Sequence, residues 1–366
     1  MRKIYVAATQ QHDGKTTISV GLYRAALNRE LSASFIKPVG QRYIERDGVA
    51  ADEDAVLFKQ ALAADGELQE ISPVLIPRGF TRDYIFDRRP EHIRGQITEA
   101  FEKVACNKDV AIIEGTGHAG VGSVIDASNA EVAELLGADV LIVSGGGIGS
   151  CIDEIALNRA LFERQGVNVL GAVINKVYES KYDKVSDAVK QGLKNIGIDC
   201  LGVIPYKTEL TYPTIVQLRD ELNLEVLTGQ DHLDSKVEDI IVGAMEPQNM
   251  VGYLETGCLV VVPGDRVDNI VTCINAHLMR DKAPSAQVAG LLLTGGLIPH
   301  LSIVNLMCQV DVPVLLSEED TATAAYRARR LVAKITPQDR NKLELAQNLV
   351  QKYVTLDKIL GVNEAD

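Results

Sequence analysis

The chain has 366 residues, of which 46% are hydrophobic and 24% charged, the composition of a soluble globular protein with room for two or three cores. Its 37 basic and 50 acidic side chains give a formal net charge of −13, which disfavours nucleic acid and anionic lipid as partners because no basic run offsets it. No stretch approaches about eighteen uninterrupted apolar residues, and Met1-Arg2-Lys3 leads straight into a strand, so a cytoplasmic protein with no membrane partner is expected.

Ile4 to Ala8 reads as the first strand, and Thr9-Gln10-Gln11-His12-Asp13-Gly14-Lys15-Thr16-Thr17 follows it directly. A tight turn in that place aims backbone N–H groups at one anion, Lys15 adds a point charge and Thr16 a hydroxyl for Mg²⁺. Ile18, Leu22, Ala25 and Ala26 continue at helical spacing, as a phosphate-binding loop requires, although Thr9 stands where the pattern G-x-x-x-x-G-K-[ST] has its first glycine. The second strand, Ser34 to Lys37, ends in Lys37-Pro38-Val39-Gly40. Lys37 is either a second cation beside the loop, able to neutralise a phosphoryl group or hold an anionic substrate, or a solvated strand-end lysine. Asp52-Glu53-Asp54 opens a helical run, where a carboxylate serves as an N-cap or a metal ligand.

Val110 to Glu114 is a buried-type strand running into Gly115-Thr116-Gly117, the position from which Glu114 would meet Mg²⁺ directly or through water; a plain strand exit is the alternative. After the strand Val140 to Ser144, the run Gly145-Gly146-Gly147-Ile148-Gly149-Ser150 lacks the last glycine of a dinucleotide fingerprint and suits an anion-binding helix start or a flexible loop. Val169 to Asn175 and Leu201 to Ile204 complete the series. Asn175 offers an amide that matches an adenine edge, and is equally a routine turn former. Strands alternating with helices predict a parallel α/β sheet, with ligands outside the carboxyl ends of the strands. The cysteines at 106, 151, 200, 258, 273 and 308 have neither paired spacing nor histidines at metal spacing, and read as buried thiols.

This first domain is expected to span residues 1–230, closing with the run Leu224 to Gln230. A smaller α/β domain follows at 231–336, with strands Leu259 to Val262, Val288 to Leu293 and Val314 to Leu316 and helical patterns around Asn269 to Met279, Ile303 to Cys308 and Thr321 to Val332. The tail, 337–366, carries amphipathic periodicity from Gln338 to Leu360 and would pack on the body or against another subunit. In the second domain Pro263-Gly264-Asp265-Arg266 and Leu293-Thr294-Gly295-Gly296 each follow a strand. They place N–H groups and one guanidinium around a small anion, or pair locally while the glycines merely turn the chain, or belong to a dimerising module.

In order, H-D-G-K-T-T, K-P-V-G, D-E-D-A, E-G-T-G, G-I-G-S-C and I-N-K resemble the dethiobiotin synthetase and cobyrinic acid a,c-diamide synthase branch of phosphate-loop proteins. The resemblance implies a P-loop NTPase-type, mostly parallel sheet with helices on both faces. It also implies ATP and Mg²⁺ as cofactors: Thr9, Asp13, Gly14, Lys15, Thr16 and Thr17 would cradle the phosphates, and Thr16, Asp54 and Glu114 would hold the metal. Lys15 and Lys37 would be catalytic, Lys37 serving the substrate, and Asn175 would touch adenine. The second domain, with Asp265, Arg266, Thr294, Gly295 and Gly296, is similar to the DRTGG module that accompanies a synthetase-like region in the N-terminal part of long bacterial phosphate acetyltransferases. The chain stops at Asp366, so acetyltransferase activity itself is not expected. Gln10 stands where related partitioning ATPases carry a signature lysine. Asp153 stands where dethiobiotin synthetases tend to have a substrate-contacting Asn, and would repel an anionic tail.

The expected function is a Mg-ATP-binding protein with a regulatory or ligand-sensing second domain. The alternative is an ATP-dependent ligase or cyclo-ligase that activates a small carboxylate or carbamate. As an enzyme it would be a slow ATPase or a C–N ligase. Expected partners are ATP, an unidentified small molecule and further copies of the chain in a homodimer or larger oligomer.

Overall fold

A computed structural model describes residues 1–46, 48–279, 287–331 and 333–361; Val332 and residues 362–366, which close two of the expected segments, lie outside the described residues. The chain forms two compact units, Met1–Lys207 joined by the chain from Ile335 onward, and Thr208–Lys334.

The first unit is built on β1 (Arg2–Ala8), β2 (Ala33–Ile36), β3 (Val110–Glu114), β4 (Asp139–Gly145), β5 (Val169–Val177) and β6 (Cys200–Pro205). All pair in parallel, in the order β6-β5-β4-β1-β3-β2. Unbroken apolar runs such as Val110-Ala111-Ile112-Ile113 and Val140-Leu141-Ile142-Val143 suit a parallel sheet covered on both faces, and these residues are fully buried. Helices α1 (Lys15–Asn28), α2 (Glu53–Ala61), α3 (Pro90–Val104), α4 (Asn129–Leu136), α5 (Gly149–Arg164) and α6 (Tyr182–Asn195) connect the strands. This is the parallel α/β architecture that the alternation of elements predicts. The chain leaves β1, passes over β3 to reach β2, and later returns with β4 on the other side. The carboxyl end of β1 is therefore where the strand order reverses and a crevice opens. Two small pairs escape the sequence reading: the hairpin Tyr43–Arg46 with Val49–Asp52, and Val39–Gly40 alongside Val74–Leu75. Each is too short to show a period.

The second unit holds β7 (Glu225–Thr228), β8 (Asp239–Val242), β9 (Cys258–Pro263), β10 (Val288–Thr294) and β11 (Val314–Leu316) in the order β7-β11-β10-β9-β8, with only β7 antiparallel. Alternate residues of the central strands feed two cores. Val260, Val262, Leu291 and Leu293 face one side with Ile270, Cys273 and Ile274 of α8 (Val267–Leu278). Leu259, Val261 and Leu292 face the other with Ile215 and Leu218 of α7 (Ile215–Leu222) and Ala324, Ala325 and Ala328 of α10 (Thr321–Arg329). A shorter helix, α9 (Leu301–Met307), precedes β11. The segment 224–230, which composition groups with the first domain, supplies β7 of this second sheet: Glu225 and Val226 pair with Leu316 and Leu315. Four residues with one exposed end carry no sign of which sheet they will join.

The chain then returns to the first unit through α11 (Arg340–Tyr353) and α12 (Leu356–Leu360). Val354 bridges Gly202 of β6, Thr355 N donates to Leu201 O at 2.7 Å, and Arg29 pairs with Asp357 at 2.9 Å. Helix α11 lies so close on α1 that a Cβ at Gly21 would meet Val350 Cβ at 2.3 Å. Gly21→Ala is expected to cost about 1–3 kcal/mol, because a branched buried side chain cannot yield by rotation alone. Urea unfolding of the variant checks this, and an unchanged midpoint would show that the two helices are not in register there.

Candidate functional site

The loop after β1 is tied down before it turns. Thr9 N donates to Val143 O of β4 at 2.9 Å, the Thr9 hydroxyl donates to Asp13 Oδ2 at 2.9 Å, and it lies 3.0 Å from the Ser144 hydroxyl. Gln10 N donates to the same Asp13 oxygen at 2.7 Å. The side chain that replaces the usual glycine thus braces the loop against β4, and Asp13, whose carboxyl burial raises above its usual range, accepts the bonds. Gly14 then takes φ +99° as the N-cap of α1, and a Cβ there would lie 2.1 Å from Asn175 Nδ2. Both the backbone angle and the close approach require glycine. Asn175 Nδ2 donates to Asp13 O at 2.8 Å, its Oδ1 accepts from Lys176 N at 2.9 Å, and Lys176 Nζ donates to His12 O at 2.5 Å. The Asn175 amide thus spends one N–H on the loop and one lone pair on its own strand end. Ser144 is a bracing residue that sequence spacing does not reveal.

Lys15 opens α1, where the first backbone N–H groups lack intrahelical acceptors. It is buried, and its Nζ makes no hydrogen bond or ion pair among the described residues. Burial, reinforced by the charge of Lys37, pushes its ammonium down to about 8. Lys37 behaves in the opposite way. It donates to Asp54 Oδ2 at 2.7 Å, Glu114 Oε1 at 3.0 Å and Gly115 O at 3.3 Å. Burial alone would lower its pKa, but the carboxylates of Asp54 and Glu114 overcome that and hold it well above the ordinary value. Thr16 Oγ1 lies 3.0 Å from Glu114 Oε1 and 3.2 Å from Asp54 Oδ1. Burial raises the Glu114 carboxyl, with Lys37 opposing, and its Oε2 is sealed from solvent with no hydrogen-bond partner.

Capping and site roles divide within Asp52-Glu53-Asp54. Asp52 is the N-cap of α2, accepting from Asp54 N at 3.0 Å, while the Asp54 carboxylate turns to Lys37 and Thr16. Past Glu114, Asn129 holds the next loop: it accepts from Tyr5 OH at 2.8 Å and Thr116 N at 3.0 Å, and donates to Thr116 O and His118 O. Its signal in the sequence is the capping box Ser128 to Glu131, which fixes where α4 begins.

Among the described residues no group of three or more His, Cys, Asp or Glu side chains forms a metal cage. Mg²⁺ does not need one, since it keeps waters and takes one or two carboxylates plus phosphate oxygens. Glu114, whose Oε1 meets the Thr16 hydroxyl and whose Oε2 has no hydrogen-bond partner among the described residues, fits an ion of that kind together with Asp54. Beside the loop a cavity of about 560 Å³ is lined by Gln10, His118, Glu154, Leu157, Leu161 and Arg164 among others, with Gln10 Nε2 donating to Glu154 Oε1 at 2.6 Å.

The second-unit motif is spent internally. Gly264 N, Gly295 N and Gly296 N donate to Thr294 O, Glu319 O and Ser317 O. Arg266 pairs with Asp268 and reaches the Ala244 and Met245 carbonyls, and Thr294 Oγ1 bonds Thr321 Oγ1 at 2.7 Å. A Cβ at Gly264 would fall 1.7 Å from Leu297 O, so that glycine permits close backbone crossing. Of the readings open for Asp265, Arg266, Thr294, Gly295 and Gly296, this arrangement is the one in which the residues shape the strand ends. The N–H groups of Gly264, Arg266, Gly295 and Gly296 already have acceptors.

A lysine and a threonine at the start of the helix after β1, opposite a strand-end carboxylate at the reversal of a parallel sheet, define a phosphate-loop nucleotide-binding fold. Residues 2–214 match the family model described as an AAA domain (AAA_26), more than half the chain, and the protein belongs to that family. Residues 217–331 match the DRTGG domain. This is the tandem that the motifs predict. Among curated proteins the chain is similar to the phosphate acetyltransferases of Nitratidesulfovibrio vulgaris, 26% identical over 360 residues, covering 96% of this chain and 50% of that one. The phosphate acetyltransferase of Pseudomonas putida is 26% identical over 368 residues, covering 97% and 51%. The chain thus spans about half the length of the curated relatives it matches. Among solved structures, the Pyrococcus furiosus cell division ATPase MinD aligns over 57% of this chain and 85% of its own, at 16% identity and TM-score 0.38. The CBS and DRTGG domains of Clostridium perfringens pyrophosphatase, complexed with diadenosine tetraphosphate, align over 31% and 44% at 20% identity and TM-score 0.26. Among the described residues no helix is long and apolar enough to cross a membrane.

Proposed function

We propose that the first unit binds Mg-ATP at the loop Thr9–Thr17 and that the DRTGG domain regulates or reads that site. The observation that carries this reading is the contrast between two buried lysines. Lys37 is fully paired, whereas among the described residues Lys15 is a buried cation with no hydrogen-bond or ion-pair partner, at a helix N-terminus and within the influence of Glu114, whose second oxygen also has no partner. A phosphate chain with its Mg²⁺ supplies what both lack. Calorimetric titration with ATP and Mg²⁺, alongside Lys15→Ala and a phosphate-release assay, tests it. Binding lost in the variant is expected; no binding by the wild type would sink the reading.

A second reading, an ATP-dependent ligase or cyclo-ligase, draws on the cavity beside Gln10. It offers Leu157 and Leu161 for an apolar stem, with Glu154 and Arg164 for an amine and a carboxylate. Under this reading small amino or carboxylic acids accelerate phosphate release; under the first, turnover stays slow whatever is added.

A further inference from the structure

We propose that Lys37 is a resident cation that keeps the metal position of this site closed, so that a divalent ion enters only when nucleotide phosphates draw the ammonium away. The inference rests on the Mg-ATP reading and goes beyond it by giving Lys37 a gating role.

The argument begins with what a buried carboxylate pair needs. Asp54 and Glu114 converge on Thr16, and both are almost wholly enclosed. Two such carboxylates cannot remain ionised without a cation between them. The ammonium of Lys37 supplies it, 2.7 Å from one carboxylate and 3.0 Å from the other. Those are the two acids that, with Thr16, would hold the ion. An ammonium and a divalent cation cannot both sit among the same oxygens, because like charges at contact repel and each needs the same lone pairs. Lys37 is thus a competitor for the metal position as well as a neighbour of it.

The site also contains the means of release. Lys15 precedes Thr16, whose hydroxyl and the Lys37 ammonium both lie 3.0 Å from Glu114 Oε1, so phosphates that meet Lys15 come within the reach of both charges. A polyphosphate offers Lys37 new anionic partners at the moment it brings in the metal. Among the described residues the orphaned Glu114 Oε2, which Lys37 does not use, is a sealed acceptor at the site without a hydrogen-bond partner. Metal binding and nucleotide binding are then obligatorily coupled, and the ion alone binds poorly.

The test uses Mn²⁺ without nucleotide, followed by the free-ion paramagnetic resonance signal and by the thermal midpoint of the full chain. Wild type is expected to take up no Mn²⁺ below about 1 mM until ATP is added, since a protein site for such an ion is completed by phosphate. Lys37→Met is expected to bind Mn²⁺ alone at least about tenfold more tightly than wild type and to gain thermal stability from it. The gain should vanish in Lys37→Met/Glu114→Gln. No tighter binding by Lys37→Met overturns the proposal. So does submillimolar Mn²⁺ binding by wild type that Glu114→Gln abolishes, a result that needs no Lys37 variant to fold. ATP plays no part in the comparison of metal affinities, so failure of wild type to bind ATP in calorimetry would remove the proposed function without settling the Mn²⁺ result, and the two failures stay distinguishable.

Discussion

Lys37→Met is expected to destabilise the first unit by about 3–5 kcal/mol at neutral pH, the scale for removing one partner of a buried ion pair. Its ammonium is the shared counter-charge of Asp54 and Glu114, and methionine fills the space while leaving both carboxylates enclosed. The deficit should depend on pH. Burial already raises the Glu114 carboxyl and Lys37 opposes that rise, so the variant keeps the raising cause and loses the opposing one. A carboxyl with a raised folded pKa favours the folded state below its unfolded value, the ordinary 4.5 of a Glu, and loses that contribution as pH rises through the folded value. The difference from wild type should therefore be largest at neutral pH and above, and should shrink on acidification. Hydrogen exchange of the β1 and β3 amides at about pH 5 and about pH 8 reads it locally, without interference from the second unit. A deficit below about 1 kcal/mol, or one that grows on acidification, would mean that water rather than the lysine neutralises the pair.

Much of this arrangement can be read in the sequence, and the parts that cannot share a physical reason. The phosphate loop is legible because its chemistry is local: strand, turn, lysine, hydroxyl and helix lie within one stretch from Ile4 to Ala26. The parallel sheet is legible because burial on both faces leaves apolar runs such as Val110 to Ile113, which periodicity detects. Lys37, Asp54 and Glu114 can each be suspected from a strand end or helix start, but whether Lys37 faces solvent or acid depends on contacts 17 and 77 residues away. The division of labour between Asp52 and Asp54 is invisible for the same reason, since either residue is an adequate cap. Thr9 illustrates a subtler limit. As a missing glycine it weakens the loop pattern, while in space it is tied to Asp13 and Ser144, a bond across 135 residues that compensates for the substitution. The short strand Glu225–Thr228 joins the second sheet through Val314–Leu316, a partner some ninety residues further on, and nothing in its four residues announces that choice.

ATP affinity is expected to be level below about pH 8 and to weaken by about tenfold for each further pH unit, with Lys15 as the titrating group. Burial, aided by Lys37, holds its ammonium near 8 against the opposing charges of Glu114, Asp54 and Asp13, none of which is in hydrogen-bond contact with it among the described residues. Phosphate oxygens supply that contact. Above about pH 8 the lysine is mostly neutral before binding and must take up a proton to bind, so affinity falls as protons become scarce; below it the lysine is already charged and the slope disappears. The ligand does not confuse the reading, because the second ionisation of a phosphate group lies near pH 6 and is complete before the slope begins. Lys15→Ala should remove the inflection and weaken binding by about 1.5–3 kcal/mol, roughly ten- to a hundredfold in Kd, the worth of hydrogen bonds to a charged group. Calorimetry in buffers of different ionisation enthalpy measures the linked proton directly: about one taken up per ATP at pH 9, close to none at pH 7, and none at either pH in the variant. An inflection near 8 that survives Lys15→Ala would move the titration to another group, and Lys176, whose ammonium burial also lowers and which holds the His12 carbonyl at the same loop, is the next to replace.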